Sequence, residues 1–430
     1  MRSLRLSLAV LATLLFPALA SAATPSFSAG AASVDITPPI AAYNWAGTGS
    51  YPNVIDPLHA RAMVLVSGGD RIAIITLDIT ETNESDVIDI RKAVSAAANV
   101  PAANILINAS HTHSGPLSAG YRWIGFPTKI KHTDEHLEKW ARELPGRCAE
   151  AARKADAARQ PVTLSIGRAT VGEWLFNRRP VRPDGSVKST LLPPDPTSLP
   201  EGLRFGPVDP TATVLCLRDA SGKSVVTLLH LACHAVSVYG PKTPGVSADW
   251  PGAACRSLQQ SLGGEVLFIQ GCAGDIVPAR RGLEASREMG AFIAGRATKA
   301  AAQALTLAPA PLAVSRAIFG LPLIKEAREH IKQDHLDAEI QVITLGDLAL
   351  VALPGEPLSG LSHAILKDSP YPHTLVLGYS NGDGAQYVGM PGLKVQGGYE
   401  MTRVGRATDE AGGLMVASAL RQLRAHRAAK

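Results

Sequence analysis

Residues 104–115 read Asn-Ile-Leu-Ile-Asn-Ala-Ser-His-Thr-His-Ser-Gly, and this stretch decides the fold prediction. The apolar run at residues 105–107 predicts a short buried strand, which the following Ser-Gly-Pro ends. His111 and His113 come directly after that strand. Because positions i and i+2 of extended backbone point to the same side, we expect both imidazoles to face one pocket. The pair indicates metal binding or acid–base chemistry, and two hydrogen-bonded structural histidines are the alternative.

The segments before this stretch predict an α/β fold. Residues 62–66 and 71–79 form a predicted hairpin around a Gly-Gly turn. Apolar residues at helical spacing then predict a helix over residues 85–98, which leads into the strand at 105–107. This strand–helix–strand order predicts a mixed β-sheet core flanked by helices, with the active site on loops at strand ends.

The rest of the chain continues this alternation. Further helices are predicted over residues 135–158, 252–261, 283–305 and 410–428, and further strands over residues 161–167, 211–218, 225–232, 265–269, 374–378 and, as an adjacent pair, 339–353. Residues 177–210 contain eight prolines, which prevent regular structure, and we interpret them as a lid or rim. There is no internal repeat and no clear domain boundary.

The N-terminus predicts export. Residues 1–22 have the basic start, apolar run and small residues at Ala20-Ser21-Ala22 that are typical of a secretory signal peptide. We therefore expect a secreted or periplasmic protein with one domain over residues 23–430. No later stretch has the ~20 unbroken apolar residues that span a bilayer. The formal charge of +5 without a Lys/Arg run argues against a nucleic-acid partner.

The cysteines do not predict a structural metal site. They are scattered and odd in number, and none forms a C-x-x-C pair. They are Cys148, Cys216, Cys233, Cys255 and Cys272. Export permits a disulfide, but the spacing leaves any pairing open, and we interpret most of these residues as small buried hydrophobes.

Polar residues also follow three later predicted strands, the last of them at residues 374–378 and separated from its polar residue by a loop. His234 follows the predicted strand at 225–232, Glu356 follows the pair at 339–353, and Tyr387 follows a glycine-rich loop. Open α/β sheets place ligand sites just past the ends of their strands. Two histidines and a carboxylate form a common catalytic zinc set, although the spacing alone does not show that these residues meet.

Several separated blocks resemble the neutral/alkaline (non-lysosomal) ceramidase family, and their order is kept from about residue 34 to the C-terminus. They are Ser-His-Thr-His-Ser-Gly-Pro at 110–116, Asn-Arg at 177–178, Cys-His at 233–234 with Val-Ser-Ala-Asp at 246–249, Gly-Asp-Ile-Val-Pro at 274–278, Pro-Gly-Glu at 354–356, and Tyr387 with Tyr399, twelve residues apart. Each block is short, and the specificity of the resemblance comes from their order.

The resemblance implies one zinc ion per chain, held by His111, His234, Glu356 and Tyr387. Two imidazoles, a carboxylate and a phenol suit an ion that must keep an open position for water. The implied reaction is the hydrolysis of an amide (N-acyl) bond by zinc-bound water. The implied partner is a small-molecule or lipid amide, and peripheral contact with a membrane is left open.

The resemblance also implies roles around the metal. His113 would carry protons to the leaving amine, and Arg178 and Tyr399 would steady the oxyanion or hold the substrate. Arg178 as a surface cation and the tyrosines as core residues are the alternatives. Gly274 and Asp275 are either part of the pocket wall or an ordinary tight turn.

Two departures from the family leave the substrate open between ceramide, or another sphingolipid, and a different N-acylated compound. Val277 stands where the family block carries serine, and valine has no hydroxyl. We also expect no C-terminal β-rich domain. The alternatives are an amidohydrolase of the TIM-barrel type, a serine hydrolase using Ser247 in an incomplete nucleophile elbow, and a non-catalytic exported binding protein that kept the pocket.

Overall fold

The computed structural model describes residues 27–44, 49–117, 134–188, 202–239 and 245–429. The expected signal peptide lies outside these ranges, as do residues 189–201 of the proline-rich segment. None of the helices in the described ranges is both long and apolar enough to cross a membrane.

The described residues contain short and long strands alternating with seven α-helices. The strands are β1 (Phe27–Asp35), β2 (Tyr43–Asn44), β3 (Gly49–Ser50), β4 (His59–Ser67), β5 (Asp70–Leu77), β6 (Ile105–Ala109), β7 (Gln160–Thr170), β8 (Leu175–Asn177), β9 (Thr211–Arg218), β10 (Ser224–Leu231), β11 (Glu265–Gln270), β12 (Ile276–Pro278), β13 (Leu305–Leu307), β14 (Leu312–Pro322), β15 (His335–Leu345), β16 (Leu348–Ala352), β17 (Glu356–Pro357), β18 (His373–Leu377) and β19 (Tyr387–Val388). The helices are α1 (Glu84–Ala98), α2 (Glu135–Ala157), α3 (Asp249–Leu262), α4 (Leu283–Ala302), α5 (Lys325–Ile331), α6 (Ser359–Asp368) and α7 (Ala411–Ala428).

Two mixed sheets form the core of the described chain. The larger has the strand order β11-β10-β9-β7-β1-β4-β5-β6, with β13 beside β7, and the smaller has the order β14-β15-β16-β18. Apolar side chains from both sheets share one buried cluster, so the sheets pack face to face. Helices α1 to α4 cover the outer face of the large sheet, and α6 and α7 cover the outer face of the small one. The predicted α/β fold is confirmed as four layers, helix–sheet–sheet–helix.

Alternation along β5 shows how one strand serves both interfaces. Ile72 and Ile74 lie in the cluster between the sheets, whereas Ala73 and Ile75 lie in the cluster beneath the helices. Successive side chains of a strand point to opposite faces, and both faces are covered here. The apolar runs that predicted buried strands arise from this double burial.

Local signals explain the elements that the sequence predicted. Strands β4 and β5 form the predicted antiparallel hairpin. Helix α1 begins at a capping box, in which the Asn83 side chain accepts from the Asp86 amide and the Asp86 carboxylate accepts from the Asn83 amide. The other predicted helices are confirmed within a few residues. Strand β14 and the separation of the strands into two sheets were not predicted.

The two end strands of the large sheet, β6 and β11, approach each other across a junction that we call the seam. Asn108 Nδ2 donates to the backbone carbonyl of Gln270 at 3.3 Å, and the backbone N–H of Gln270 donates to Asn108 Oδ1 at 2.8 Å. Asn108 Nδ2 also donates to the carbonyl of Gly378 at 2.8 Å, just past β18. The seam therefore brings the segments that follow β6, β11 and β18 together at one end of the sheets.

Candidate metal centre

The residues that the sequence predicted as metal ligands meet at this end of the sheets. His111 lies just past β6, and His234 lies just past β10. The adjoining segments are bridged between Thr112 and Ala235. The carboxylate and the phenol come from a parallel pairing of β17 with β19 that sets Glu356 opposite Tyr387.

The distances within this cluster are short. Glu356 Oε2 lies 3.1 Å from His111 Nε2 and 3.2 Å from His234 Nε2. Tyr387 Oη lies 3.5 Å from His234 Nε2. All four side chains are buried. The structure therefore brings the four predicted ligands together, with both imidazole Nε2 atoms beside one carboxylate oxygen.

The hydrogen bonds of the two histidines fit a bound metal ion. His111 Nδ1 lies 2.9 Å from the carbonyl of Thr80, and His234 Nδ1 lies 2.6 Å from the carbonyl of Ala273. A carbonyl only accepts, so each Nδ1 carries a proton, and in its neutral form each ring presents an Nε2 lone pair. Both lone pairs face the carboxylate of Glu356, an arrangement that a cation between them stabilises. Metal-binding histidines usually donate their second nitrogen in this way.

His113 lies beside this cluster with its Nε2 3.1 Å from His111 Nε2. The nitrogens of His111, His113 and His234 lie within 4.8 Å of one another, as do ligand atoms of Glu81, His111 and Glu356. The position of His113 fits the predicted proton carrier, since its ring reaches the ligand atoms. The same position also fits a third imidazole ligand.

Burial and neighbouring charges shift the pKa values of the carboxylate and the histidines of this cluster. Burial alone raises the pKa of Glu356, but the adjacent His111 and His234 hold it well below its usual range. Burial, together with Arg178, lowers the pKa of His234 to about 4. Burial and the neighbouring histidines lower the pKa of His113 well below its usual value. Burial lowers the pKa of His111, but the adjacent Glu356 carboxylate raises it above its usual value. At neutral pH the cluster therefore contains a carboxylate with neutral His113 and His234 imidazoles.

Arg178 supports the cluster from within the protein. Its Nη2 donates to Tyr387 Oη at 2.9 Å and to the carbonyl of Gly274 at 2.8 Å, and its Nε lies 2.7 Å from Glu400 Oε1. Because Arg178 is buried, it is not a surface cation. Tyr399 is 39% exposed, its ring centre is 6.0 Å from that of Tyr387, and burial raises its pKa to about 12. Tyr399 therefore lies at the outer side of the site.

Gly274 and Asp275 form a turn that backs the cluster. A Cβ at Gly274 would lie 2.6 Å from the carbonyl oxygen of Glu356, so the close approach of the two backbones requires glycine. Asp275 accepts from the amide and hydroxyl of Ser359 at 2.8 and 2.9 Å and from Asn177 Nδ2 at 3.1 Å. The turn thus ties the segment before Arg178 to the segment that carries Glu356.

Sequence reasoning missed Tyr379. Its ring centre lies 4.3 Å from that of His111, and its hydroxyl lies 3.5 Å from Glu356 Oε2. Both His111 (φ 62°) and Tyr379 (φ 50°) have left-handed backbones, a conformation that is uncommon outside glycine and often marks functional sites. Tyr379 directly follows β18 and its Gly378, so the strand-end pattern that selected the histidines applied to it as well.

Tyr239 and Glu81 were also missed. The Tyr239 ring centre lies 4.9 Å from that of His113, and Glu81 Oε1 lies 3.9 Å from His111 Nδ1. Tyr239 lies outside the predicted strands, so no local pattern indicated it. Glu81 lies in the segment between β5 and α1, where a carboxylate is also an ordinary choice near a helix N-terminus.

Two residues that the sequence left open have structural contacts. Ser247 Oγ donates to Asp56 Oδ2 at 2.6 Å and accepts from the amide of Asp249 at 3.0 Å, so it stabilises the start of α3. Val277 is fully buried in β12, where it pairs with Phe176 of β8.

The family model for the N-terminal region of neutral/alkaline non-lysosomal ceramidases matches residues 27–301. The chain therefore belongs to the neutral/alkaline non-lysosomal ceramidase family. Membership of this family supports an amide-cleaving hydrolase. A TIM barrel needs eight parallel strands, whereas β1, β4 and β5 pair antiparallel here, so that alternative is not favoured.

Solved structures share the fold. The neutral ceramidase from Pseudomonas aeruginosa superposes with a TM-score of 0.72 at 18% identity, over 93% of this chain and 75% of that one. A ceramidase complexed with C2 gives a TM-score of 0.75 at 17% identity, over 94% and 75% of the two chains. No curated protein matches the chain.

Proposed function

We propose that this protein is an exported, zinc-dependent amidase that cleaves the N-acyl bond of ceramide or of a related N-acylated compound. The observation that carries the proposal is the sharing of Glu356 Oε2 between the Nε2 atoms of His111 and His234, at 3.1 and 3.2 Å. This arrangement sits on the scaffold of a family of amide hydrolases. Export rests on the signal-peptide pattern of residues 1–22.

One zinc ion per chain suits the cluster. His111, His234, Glu356 and Tyr387 would hold it, because imidazole, carboxylate and phenol oxygen match a borderline ion. When bound, zinc supplies Lewis-acid polarisation of the amide carbonyl and lowers the pKa of water to about 7. The tautomers of His111 and His234, fixed by the carbonyls of Thr80 and Ala273, keep the two Nε2 atoms available to it.

His113 is the proton carrier in this proposal. Its lowered pKa keeps the ring neutral near pH 7, so its Nε2 would accept a proton from the attacking water. The same nitrogen then delivers the proton to the leaving amine, which departs as a neutral group. In support of this role, the nitrogen lies 3.1 Å from His111 Nε2, a proposed ligand atom.

Arg178 and Tyr399 have different roles towards the substrate in this proposal. Arg178 orients the phenol of Tyr387 through the 2.9 Å hydrogen bond and contributes positive charge next to the developing oxyanion. The Tyr399 ring lies 5.8 Å from the Arg178 guanidinium, and the residue is partly exposed, so it lies where a substrate can contact it. Together they hold the carbonyl end of the acyl group.

The family and the solved structures support the proposed substrate class. One such structure is described as a neutral ceramidase and another as a ceramidase complexed with C2, which favours a ceramide-like lipid amide and a role in sphingolipid metabolism. Val277, the residue that replaces the family serine, is the reason to include other N-acyl compounds. Residues 23–430 form one domain in this proposal, with contact to a lipid surface where the substrate is presented.

The test measures metal content and hydrolysis together. Mature protein is expected to contain about one zinc by elemental analysis and to release fatty acid from a short-chain ceramide, with an N-acyl amino acid and a simple ester as comparison substrates. Removal of zinc by a chelator should abolish the release, and added zinc should restore it. Full activity in metal-free protein would contradict zinc dependence. A zinc-containing protein that hydrolyses none of these substrates would favour the binding-protein alternative.

A further inference from the structure

We propose that Gln270, at the end of β11, is a positioning residue that sets the separation of the two histidine ligands through a single side-chain amide. This inference rests on the proposed function, because it assumes that His111 and His234 bind zinc. Gln270 is fully buried and lies at the seam, where the end strands of the large sheet meet.

The amide of Gln270 contacts the backbone immediately before each histidine. Its Nε2 donates to the carbonyl of Ser110 at 2.9 Å and to the carbonyl of Cys233 at 2.8 Å. Its Oε1 accepts from the amide of Cys233 at 3.1 Å. One side chain thus holds the segments leading to His111 and His234, which are more than a hundred residues apart in sequence.

These contacts act on the peptide planes of the ligands themselves. The carbonyl of Ser110 and the amide nitrogen of His111 belong to one planar peptide unit, as do the carbonyl of Cys233 and the amide nitrogen of His234. Fixing the carbonyl therefore fixes the direction from which each histidine leaves the backbone. His111 needs this support, because its φ of 62° lies in the left-handed region.

A second buried glutamine provides the contrast. Gln341 in β15 is also fully buried, donates to the carbonyl of Ala103 at 2.8 Å and accepts from Asn381 Nδ2 at 2.9 Å. Its partners do not adjoin a predicted ligand. A role limited to stability is thus expected for Gln341, whereas Gln270 is expected to affect the metal centre as well.

The test compares zinc affinity and stability in the full mature chain. Gln270→Glu keeps the shape but replaces both donors with an acceptor facing two carbonyls, and we expect its zinc affinity, from competition with a chromophoric chelator, to fall about 10- to 100-fold. Gln270→Asn keeps the amide on a shorter side chain and should show a smaller loss. Gln341→Leu should lower the melting temperature and leave zinc affinity unchanged.

The zinc affinities of the Gln270 and Gln341 variants decide whether Gln270 positions the ligands. Wild-type zinc affinity in folded Gln270→Glu would overturn the proposal, and if that variant does not fold, the same result in Gln270→Asn would do so. An equal loss of affinity in Gln341→Leu would show that general destabilisation is the cause. A wild-type chain that binds no zinc would instead contradict the proposed metal centre, so the two failures are distinguishable. A changed absorption spectrum of bound Co²⁺ in Gln270→Glu would report altered ligand geometry directly.

Discussion

The two sides of the candidate metal centre are built differently. On the histidine side, His111 follows β6, a fully buried strand of five residues, and His234 follows β10, a strand of eight residues. Both strands belong to the large sheet. On the carboxylate side, Glu356 and Tyr387 lie in strands of two residues between loops. Sheet strands deliver the histidines, with Gln270 proposed to set their separation, whereas the carboxylate and phenol depend on contacts around their loops.

Those contacts on the carboxylate side are unusually specific. Gly355 has φ 68°, and a Cβ there would lie 2.7 Å from the carbonyl of Gln386, whose own φ is 61°. Arg178 then links Tyr387 to Glu400. Substitutions on the histidine side should therefore remove the metal and leave the scaffold intact, whereas substitutions on the carboxylate side should also loosen the loops.

The largest expected effect is loss of metal from the histidine side. In His111→Ala and in His234→Ala, zinc affinity should fall by more than the ~100-fold that outer contacts typically contribute, because an inner ligand is removed. Elemental analysis after gel filtration measures the bound zinc. His136→Ala, on the exposed surface of α2, is the matched control and should retain zinc and activity. Zinc retained at wild-type affinity by both ligand variants would contradict the assigned site.

The second largest effect should distinguish His113, the proposed proton carrier, from the proposed zinc ligands. His113→Ala should retain zinc, because His111, His234, Glu356 and Tyr387 remain, and should lower kcat by about 10²- to 10⁴-fold through loss of proton transfer. Steady-state kinetics on the best amide substrate and the zinc content of the same sample are the measurements. Unchanged turnover would disprove the proton-carrier role, and loss of zinc would identify His113 as a ligand.

The third effect tests the loops of the carboxylate side. Glu400 is fully buried, with its carboxylate 2.7 Å from Arg178 Nε and 2.8 Å from Arg179 Nη1. Glu400→Ala should lower the free energy of unfolding by about 3–5 kcal/mol, because two buried cations lose their partner. The exposed pair of Glu143 with Arg147 is the control, and Glu143→Ala should cost at most about 1 kcal/mol. Equal losses in denaturant titrations would refute the comparison.

The strand ends that precede the two histidines were predictable because the apolar pattern of each strand is visible in the sequence. Strands β6 and β10 are apolar runs that end at polar residues, so the places where His111 and His234 leave the sheet were visible. Helix α1 was equally clear from its spacing. The second sheet was not predicted, because apolar strands show that their faces are covered but not what covers them.

The carboxylate side depended on the family resemblance instead of on local pattern. A two-residue strand such as β17 has no periodicity to detect, and the pairing of Glu356 with Tyr387 arises from loops. Tyr379 was missed because a tyrosine next to a strand is more often a core residue. Gln270 was missed because its importance lies in three hydrogen bonds to distant backbone, which no local pattern encodes.

The seam between β6 and β11 has a consequence for how the protein folds. Asn108 and Gln270 are 162 residues apart in the sequence, so their pairing closes a long loop. The entropy of that closure is lost before the contacts formed there compensate for it, and such distant strand pairings are typically slow. Gln270 at this junction contacts the segments before both histidines. A partly folded chain in which β6 and β11 have not met therefore cannot hold His111 and His234 together. A metal ion held by both histidines would thus require the completed sheet.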